Sequence, residues 1–199
     1  ANGSNVYKGS FYTNSAVTGN WEDFIVRDLV NYVDNNYRTI PAAESRGIAG
    51  HSMGGYGSVM LGMKHPEIFG AVYALSPCCL AMEADMSEAN SAWPGVLQLT
   101  SREQLNAPSR SFAQFFHSAF MALSAAFSPN PNRAPFFVDF PFESKAGICN
   151  PPPEGTLLTN SPCVQKNEAA YEKWRSHIPV YIAEANKENL KKLRGIFLD

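Results

Sequence analysis

The sequence predicts an α/β fold built on a mostly parallel sheet. Two short apolar segments, residues 46–50 and 71–75, have the length and composition of buried strands. A glycine-rich helix over residues 52–64 separates them, and a third strand is predicted at residues 195–198 after another helical segment. Because strands that alternate with helices are joined by crossover connections, we expect the three strands to lie parallel in one sheet.

Composition narrows the classes of function. The 199 residues are 45% hydrophobic and 17% charged, and 16 Lys and Arg against 18 Asp and Glu give a formal net charge of −2. This balance excludes a disordered charged tail and lacks the basic excess of a nucleic-acid-binding surface. No apolar segment approaches the ~20 residues of a membrane-spanning helix. We therefore expect a folded chain with a sizeable core and with neither nucleic acid nor a membrane span.

The two ends of the sequence lead us to expect a piece of a longer protein. The chain begins at Ala1, and no basic segment followed by an apolar one precedes the fold, so no signal peptide is predicted. It ends on an apolar run closed by Asp199, a pattern typical of a strand cut at its end.

Four cysteines bear on localisation. Adjacent Cys78 and Cys79 are not expected to bond each other, because disulfide geometry disfavours neighbouring residues. Cys149 and Cys163 flank a proline-rich stretch, and a disulfide between them would favour a secreted or periplasmic protein. Two unrelated free thiols are an equal alternative. No metal site and no cofactor is predicted, since nothing resembles a Cys-x-x-Cys pair and the four histidines are scattered.

The N-terminal elements are predicted from local signals. Residues 1–19 are polar and rich in small side chains, which predicts a loop. A helix to about residue 37 follows, with Asn20 as its N-cap and Asp23 at the capping-box position. The helix over residues 52–64 contains four glycines, each of which costs up to about 1 kcal/mol relative to alanine. We expect a neighbouring sheet or a ligand to approach the backbone of this helix closely.

The sequence divides into a core, an insertion and a return to the core. The core occupies residues 1–81, the insertion 82–178 and the return 179–199, which is expected to hold a helix to residue 193 and the last strand. In the insertion the alternation of strands and helices disappears, and only helices over residues 111–127 and 166–176 are predicted. We interpret the insertion as a cap or lid. Its many aromatic residues either form ordinary core, which their helical spacing favours, or line an apolar pocket.

One motif carries chemistry. Gly50-His51-Ser52-Met53-Gly54 matches Gly-x-Ser-x-Gly and lies between a predicted strand and a glycine-rich helix, the setting of a nucleophile elbow. A serine on so sharp a turn has strained backbone, and we expect Gly50 and Gly54 to lack side chains because these would collide with neighbouring strands. The Ser52 hydroxyl would then project into a cleft, with the Met53 N–H as the first oxyanion donor.

The residues around this motif resemble a known family. Residues 50–57, 65–70 and 76–77 are similar to the "putative esterase" family of α/β hydrolases, which includes feruloyl and acetyl-xylan esterases, S-formylglutathione hydrolase and mycolyltransferases. The resemblance is strongest over residues 20–77 and returns at 189–199. It implies an α/β-hydrolase fold, with helices on both faces of a mostly parallel sheet, of which this chain is a partial copy.

The resemblance also implies a triad in the order serine, acid, histidine. Ser52 is its nucleophile and the Met53 amide its oxyanion donor. Asp199 is a candidate acid, although a residue there is more often the end of the strand, with the acid and the histidine later in the sequence. His51 adjoins the nucleophile as a candidate substrate-binding residue, but alternation of side chains at the turn predicts that it faces the interior. Ser76, at the carboxyl end of a strand, either lines the cleft or caps the chain.

The other three histidines are expected to have mainly structural roles. His65 is predicted to end a helix and His117 to pack within an apolar helix. His177 is more open, because a residue of the insertion could reach the cleft from a lid.

Together these features predict a serine carboxylic-ester hydrolase. It would act through an acyl-enzyme on a small-molecule ester with an apolar or aromatic moiety, without a cofactor. An acyltransferase with the same site is one alternative. Another is a catalytically silent module, since three strands alone leave both edges of a sheet uncovered. The sequence does not predict the oligomeric state.

Overall fold

The chain folds around one parallel sheet to which shorter elements are added. A computed structural model describes residues 3, 5–106, 112–145 and 164–199. In chain order the strands are β1 (Asn14–Ser15), β2 (Gly19–Asn20), β3 (Gly47–His51), β4 (Ala71–Leu75), β5 (Phe142–Ser144), β6 (Val164–Lys166) and β7 (Gly195–Leu198). The α-helices are α1 (Trp21–Asp23), α2 (Val30–Asn36), α3 (Met53–Lys64), α4 (Trp93–Leu97), α5 (Arg102–Asn106), α6 (Phe112–Phe127), α7 (Glu168–Arg175), α8 (Pro179–Ile182) and α9 (Lys187–Leu190).

The three predicted core strands form a single sheet. Strands β3, β4 and β7 pair in that order, and both pairings are parallel. In the register, Ile48 lies opposite Val72, which in turn lies opposite Ile196. All three carboxyl ends therefore meet at one edge, as the alternation of strands and helices predicted.

Helix α3 covers one face of this sheet, and its glycines allow the close approach. A Cβ on Gly62 would lie 2.2 Å from Cγ2 of Val72, and one on Gly57 would lie 2.3 Å from the ring of Tyr12. Both distances are far below ordinary van der Waals contact. The expected approach of the sheet is confirmed at Gly62, whereas at Gly57 the close neighbour is Tyr12 of the N-terminal segment.

The opposite face of the sheet is exposed in the described residues. Because side chains alternate along a strand, Ala49, Tyr73 and Phe197 lie on the side away from α3, and all three are exposed. The edge-to-face contact of Tyr73 with Phe197 joins two strands on this side. The expected helical cover of both faces is thus seen on one face only.

The N-terminal region corrects two predictions. Residues 1–19 were expected to be loop, but residues 14–20 contain the antiparallel pair of β1 and β2. The following helix runs from α1 through a π-helical segment, Phe24–Leu29, into α2. Its capping box does not form, because Asn20 makes no side-chain cap and the N–H of Asp23 instead donates to Oδ1 of Asn14 at 3.2 Å. The side chain from the neighbouring hairpin takes the place of the local cap.

Most of the buried apolar residues that the structure describes lie in residues 82–178, the segment predicted to be an insertion. The rings of Trp93 and Phe120 stack with centroids 3.9 Å apart, and Trp174 and Phe142 are fully buried beside them. These residues share one cluster with Tyr56 of α3. The expectation that aromatic residues of the insertion form core is confirmed for these side chains.

Several boundaries within the insertion and after it differ from those predicted. Strands β5 and β6 form an antiparallel pair that the sequence analysis missed. The predicted helix at 166–176 is α7, and Asn167 caps it by accepting from the N–H of Ala170. The single helix expected after residue 179 is two short ones, α8 and α9.

Cys149 and Cys163 lie outside the described residues. Within the described ranges, no helix combines the length and apolarity needed to cross a bilayer.

Candidate active site

Ser52 occupies a sharp turn between β3 and α3. Its backbone has φ 54° and ψ −115°, values that residues with side chains rarely adopt. The Ser52 N–H donates to the carbonyl of Leu75 on the neighbouring strand at 3.0 Å, which fixes the turn to the sheet. The side chain does not cap α3, and the residue is exposed. The turn therefore presents this hydroxyl at the carboxyl edge of the sheet.

The glycines on either side of Ser52 have different roles. A Cβ on Gly50 would lie 2.2 Å from the carbonyl oxygen of Gly54, so only glycine fits there. The collision is with the turn itself and not with a neighbouring strand, as we had expected. At Gly54 the nearest atom to a Cβ would be the Tyr12 hydroxyl, 3.8 Å away. The prediction that Gly54 must lack a side chain is thus wrong for the described surroundings.

The N-terminus of α3 begins directly after Ser52. The first helical hydrogen bond runs from the N–H of Tyr56 to the Ser52 carbonyl at 3.0 Å. The amides of residues 53–55, including that of Met53, precede this bond and lie at the positive end of a 12-residue helix. Amides in this position favour a negative charge that develops near the Ser52 hydroxyl.

A cavity of about 1000 Å³ opens beside Ser52. Much of its wall is apolar and comes from three parts of the chain: Phe11 of the N-terminal segment, Met53 of α3, and Phe116, Phe120 and Leu123 of α6. The sequence left open whether the aromatic residues of the insertion form core or line an apolar pocket, and one residue can do both. Phe120 is buried core and also lines the cavity.

Polar groups occupy a smaller part of the same wall. Besides Ser52 they include the carboxylates of Glu83 and Asp85 and the adjacent thiols of Cys78 and Cys79. These two cysteines were not among the predicted site residues. The signal that could have found them is their position directly after a parallel strand, where clefts of α/β folds form.

Strained backbone is concentrated around this cavity. Lys8, Phe11, Ser52 and Cys79 line it, and each has a positive φ, between 47° and 73°. Such conformations persist only where the surrounding structure enforces them, and they are typical of functional sites.

The other predicted site residues lie around Ser52 but not in this cavity. His51 is exposed, so the expectation that it faces the interior is wrong. It shares the uncovered face of β3 with Ala49 and lines a second cleft, of about 600 Å³, along that strand. Ser52 and Met53 line this cleft as well as the larger cavity. Ser76 has φ 40°, is exposed, and donates its N–H to the Asp199 carbonyl at 2.6 Å. Asp199 is itself exposed beside the end of β4.

His65 is the C-cap residue of α3, as predicted, and belongs to an ionic cluster. Its Nε2 lies 2.8 Å from Oε1 of Glu22, and Lys64 Nζ lies 2.5 Å from the other oxygen of that carboxylate. Burial opposes the charge on Glu22, but the hydrogen bonds from His65 and Lys64 outweigh it and lower the pKa of Glu22 to about 2. The hydrogen bond to Glu22 raises the pKa of His65.

The remaining histidines are held by other contacts. The ring of His177 stacks on Phe127, and its Nδ1 lies 2.8 Å from the carbonyl of Lys173. Burial lowers the pKa of both His177 and His117. All four histidines lie in the described part of the chain, and none of them lines the cavity at Ser52.

Comparison with known proteins identifies relatives. A family model described as "putative esterase" matches residues 2–197. Over 62 residues the chain is 36% identical to the S-formylglutathione hydrolase of Paracoccus denitrificans (strain Pd 1222), a segment that covers 31% of this chain and 22% of that enzyme.

Two solved structures are similar at lower identity. One is FphF, a fluorophosphonate-binding serine hydrolase of Staphylococcus aureus with substrate bound, at 16% identity and a TM-score of 0.46, covering 95% of this chain and 47% of that one. The other is a ferulic acid esterase, at 23% identity and a TM-score of 0.34, covering 61% and 55%. This chain thus spans about half the length of the structures that it matches. Because both TM-scores lie below 0.5, neither likeness establishes a shared fold by itself.

Proposed function

The chain belongs to the "putative esterase" family, and we propose that it carries the nucleophile of a serine carboxylic-ester hydrolase. The observation that carries this proposal is the turn at Ser52. Its strained φ of 54° exposes a hydroxyl at the end of a parallel strand, between a 12-residue helix and a cavity of about 1000 Å³. This is the geometry that a nucleophile elbow requires.

The proposed reaction follows the course of serine hydrolases. The Ser52 oxygen attacks the acyl carbon of the ester, and its proton passes to a histidine base. The Met53 N–H at the start of α3 donates to the oxyanion that forms, and water then releases the acyl group from Ser52. The amide is available for this role because it has no acceptor within the helix.

The proposed reaction also needs a histidine base and an acid. In the resembled family the order is serine, acid, histidine, with the last two after the final core strand. The positions of His65, His117 and His177 agree with this order, because none of them lines the cavity beside Ser52. Asp199 stays a candidate acid, next to Ser76 at the carboxyl edge of the sheet.

The cavity wall supports an ester with an apolar or aromatic moiety as the substrate. Phe116, Phe120 and Leu123 form a continuous apolar surface on α6, and their contact with an acyl or aryl group would remove it from water. The volume, about 1000 Å³, accommodates a group as large as a substituted aromatic acid.

Two measurements on the complete protein that contains this chain test the proposal. A fluorophosphonate should label Ser52, and the protein should hydrolyse p-nitrophenyl esters. Ser52→Ala should abolish labelling and lower kcat/KM at least ~10³-fold. Ser118→Ala is the matched control, because Ser118 lines the same cavity from α6 and should leave both nearly unchanged. Hydrolysis that persists in Ser52→Ala, or labelling that moves to Ser118, refutes the assignment.

A further inference from the structure

Two adjacent thiols lie in the cavity wall close to the Ser52 turn. Cys78 and Cys79 follow Pro77 at the carboxyl end of β4, and all three residues line the cavity. Both cysteines are free and partly exposed. The N–H of Cys78 donates to the carbonyl of Ser52 at 3.3 Å, which holds the thiol pair beside the proposed nucleophile.

The two sulfur atoms are positioned to bind one further atom between them. The Cys79 thiol donates to Sγ of Cys78 at 2.8 Å, so both sulfurs point to the same place. A direct disulfide is disfavoured, because consecutive Cα atoms are only ~3.8 Å apart and disulfides usually need at least ~4.4 Å. An atom bonded to both sulfurs removes this constraint, since it bridges a longer gap.

The thiol pair is also prepared for reaction. The hydrogen bond from Cys79 lowers the pKa of Cys78, whereas the same contact, together with burial, raises the pKa of Cys79. The lowered pKa makes Cys78 the more readily ionised thiol of the pair.

The surroundings select the class of ligand. Structural zinc takes four protein ligands, and catalytic zinc takes three. Within the described ranges, no group of three or more His, Cys, Asp and Glu side chains is placed to hold a metal ion. An atom that needs only two thiolates, and that already carries an apolar substituent, fits better. Phe116 and Phe120 line the same cavity and provide an apolar surface for that substituent.

We propose that Cys78 and Cys79 form a dithiol site for trivalent organoarsenic compounds, whose aryl group lies in the apolar cavity and closes it to esters. The closure rests on the proposed function of Ser52, whereas the binding does not. An aryl arsenoxide reacts with the two thiols to give one arsenic–sulfur bond to each cysteine. The arsenic–oxygen bond breaks, and the oxygen leaves as water with both thiol protons. Arsenic stays trivalent, so no oxidant or reductant takes part.

Intact-mass spectrometry of the complete protein with phenylarsine oxide tests the site. We expect one adduct, equal in mass to the reagent less one water, that maps to the peptide containing Cys78 and Cys79. A dithiol such as dithiothreitol should remove it, because two competing thiols on one molecule are needed. Cys78→Ser and Cys79→Ser should each abolish the adduct, whereas the double variant Cys149→Ser/Cys163→Ser should retain it.

Further outcomes separate this site from the function of Ser52. Ser52→Ala should bind the arsenical like the unaltered protein. Fluorophosphonate labelling of the unaltered protein should fall at least ~10-fold when the arsenical is bound, and should recover with dithiothreitol. An adduct that survives either single cysteine substitution, or that maps to other residues of the unaltered protein, overturns the dithiol site. A full adduct on the pair with unchanged labelling overturns the closure of the cavity.

Discussion

The ionic cluster of Glu22, Lys64 and His65 lies at the end of α3. We expect it to make the free energy of unfolding depend on pH over a defined range. We consider Glu22→Gln, which keeps the size of the side chain and removes its charge. Glu22 receives bonds from His65 at 2.8 Å and Lys64 at 2.5 Å. These contacts join the start of the N-terminal helix to the C-terminal end of α3.

The magnitude follows from the pKa of Glu22. Its fall from 4.5 to about 2 corresponds to about 3.5 kcal/mol at ~1.4 kcal/mol per pKa unit. Glu22 has only 12% of its side chain exposed, but Lys64 has 36%, so solvent screening reduces the contribution of the cluster. We therefore expect Glu22→Gln to lower the free energy of unfolding by about 2 kcal/mol, or Tm by roughly 4–8 °C in a domain of this size.

The pH range of this effect follows from the lowered pKa of Glu22 and the raised pKa of His65. The Glu22 contribution is present above pH 4.5 and is lost as the pH falls towards 2, because its pKa is lowered in the folded chain. The His65 contribution is complete below pH 6.5 and is lost as the pH rises through its raised pKa. The difference between the unaltered protein and Glu22→Gln should therefore be largest between about pH 4.5 and 6.5 and smaller at higher pH.

Thermal unfolding at about pH 5.5 and about pH 8.5 measures this difference. Glu67→Gln is the matched control, because Glu67 also contacts His65, at 3.2 Å, but is 65% exposed. An exposed pair of this kind contributes less than ~1 kcal/mol. Equal destabilisation by Glu22→Gln at both pH values, or an effect of Glu67→Gln as large as that of Glu22→Gln, would refute the reasoning.

Two further substitutions test packing near the site. Gly57→Ala places a methyl group 2.3 Å from the Tyr12 ring and should destabilise by about 1–3 kcal/mol, whereas Gly54→Ala, with 3.8 Å of space, should be neutral or stabilise by up to ~1 kcal/mol. A higher melting temperature for Gly57→Ala than for Gly54→Ala would contradict the close approach of Tyr12 to Gly57. Ser128→Ala removes the buried hydroxyl that accepts from the indole N–H of Trp174 at 3.0 Å. It should lower the free energy of unfolding, measured by chemical denaturation, by about 1–3 kcal/mol. An unchanged denaturation midpoint would contradict this expectation.

The elements that the sequence predicted well are those with a local cause. The strands around residues 47–51 and 71–75 are short apolar runs bounded by turn residues, and the structure confirms both and their parallel pairing. The turn at Ser52 was predicted from the Gly-x-Ser-x-Gly motif between a strand and a helix, and Gly50 fits it because its contact with Gly54 leaves no room for a side chain. In both cases the information lies within a few neighbouring residues.

The predictions that failed depended on contacts between distant parts of the chain. Asn20 has the composition of a cap, but Asn14 from the neighbouring hairpin supplies the acceptor for Asp23 instead. His51 was expected to be buried, yet it belongs to the strand face that α3 does not cover. Local patterns carry no information about such neighbours.

The insertion and the Ser52 turn share one core, and this links specificity to stability. Phe120 lines the cavity and stacks on Trp93 at 3.9 Å, while Phe127 of the same helix contacts Tyr56 of α3. The wall of the cavity is therefore the outer surface of side chains whose other contacts hold the fold together. A smaller residue at 120 would enlarge the cavity, but it would also remove a stacked aromatic pair from the core. Phe115 lines the cavity too, but it is 54% exposed, so a smaller residue there should alter the cavity wall at a lower cost in stability than one at Phe120.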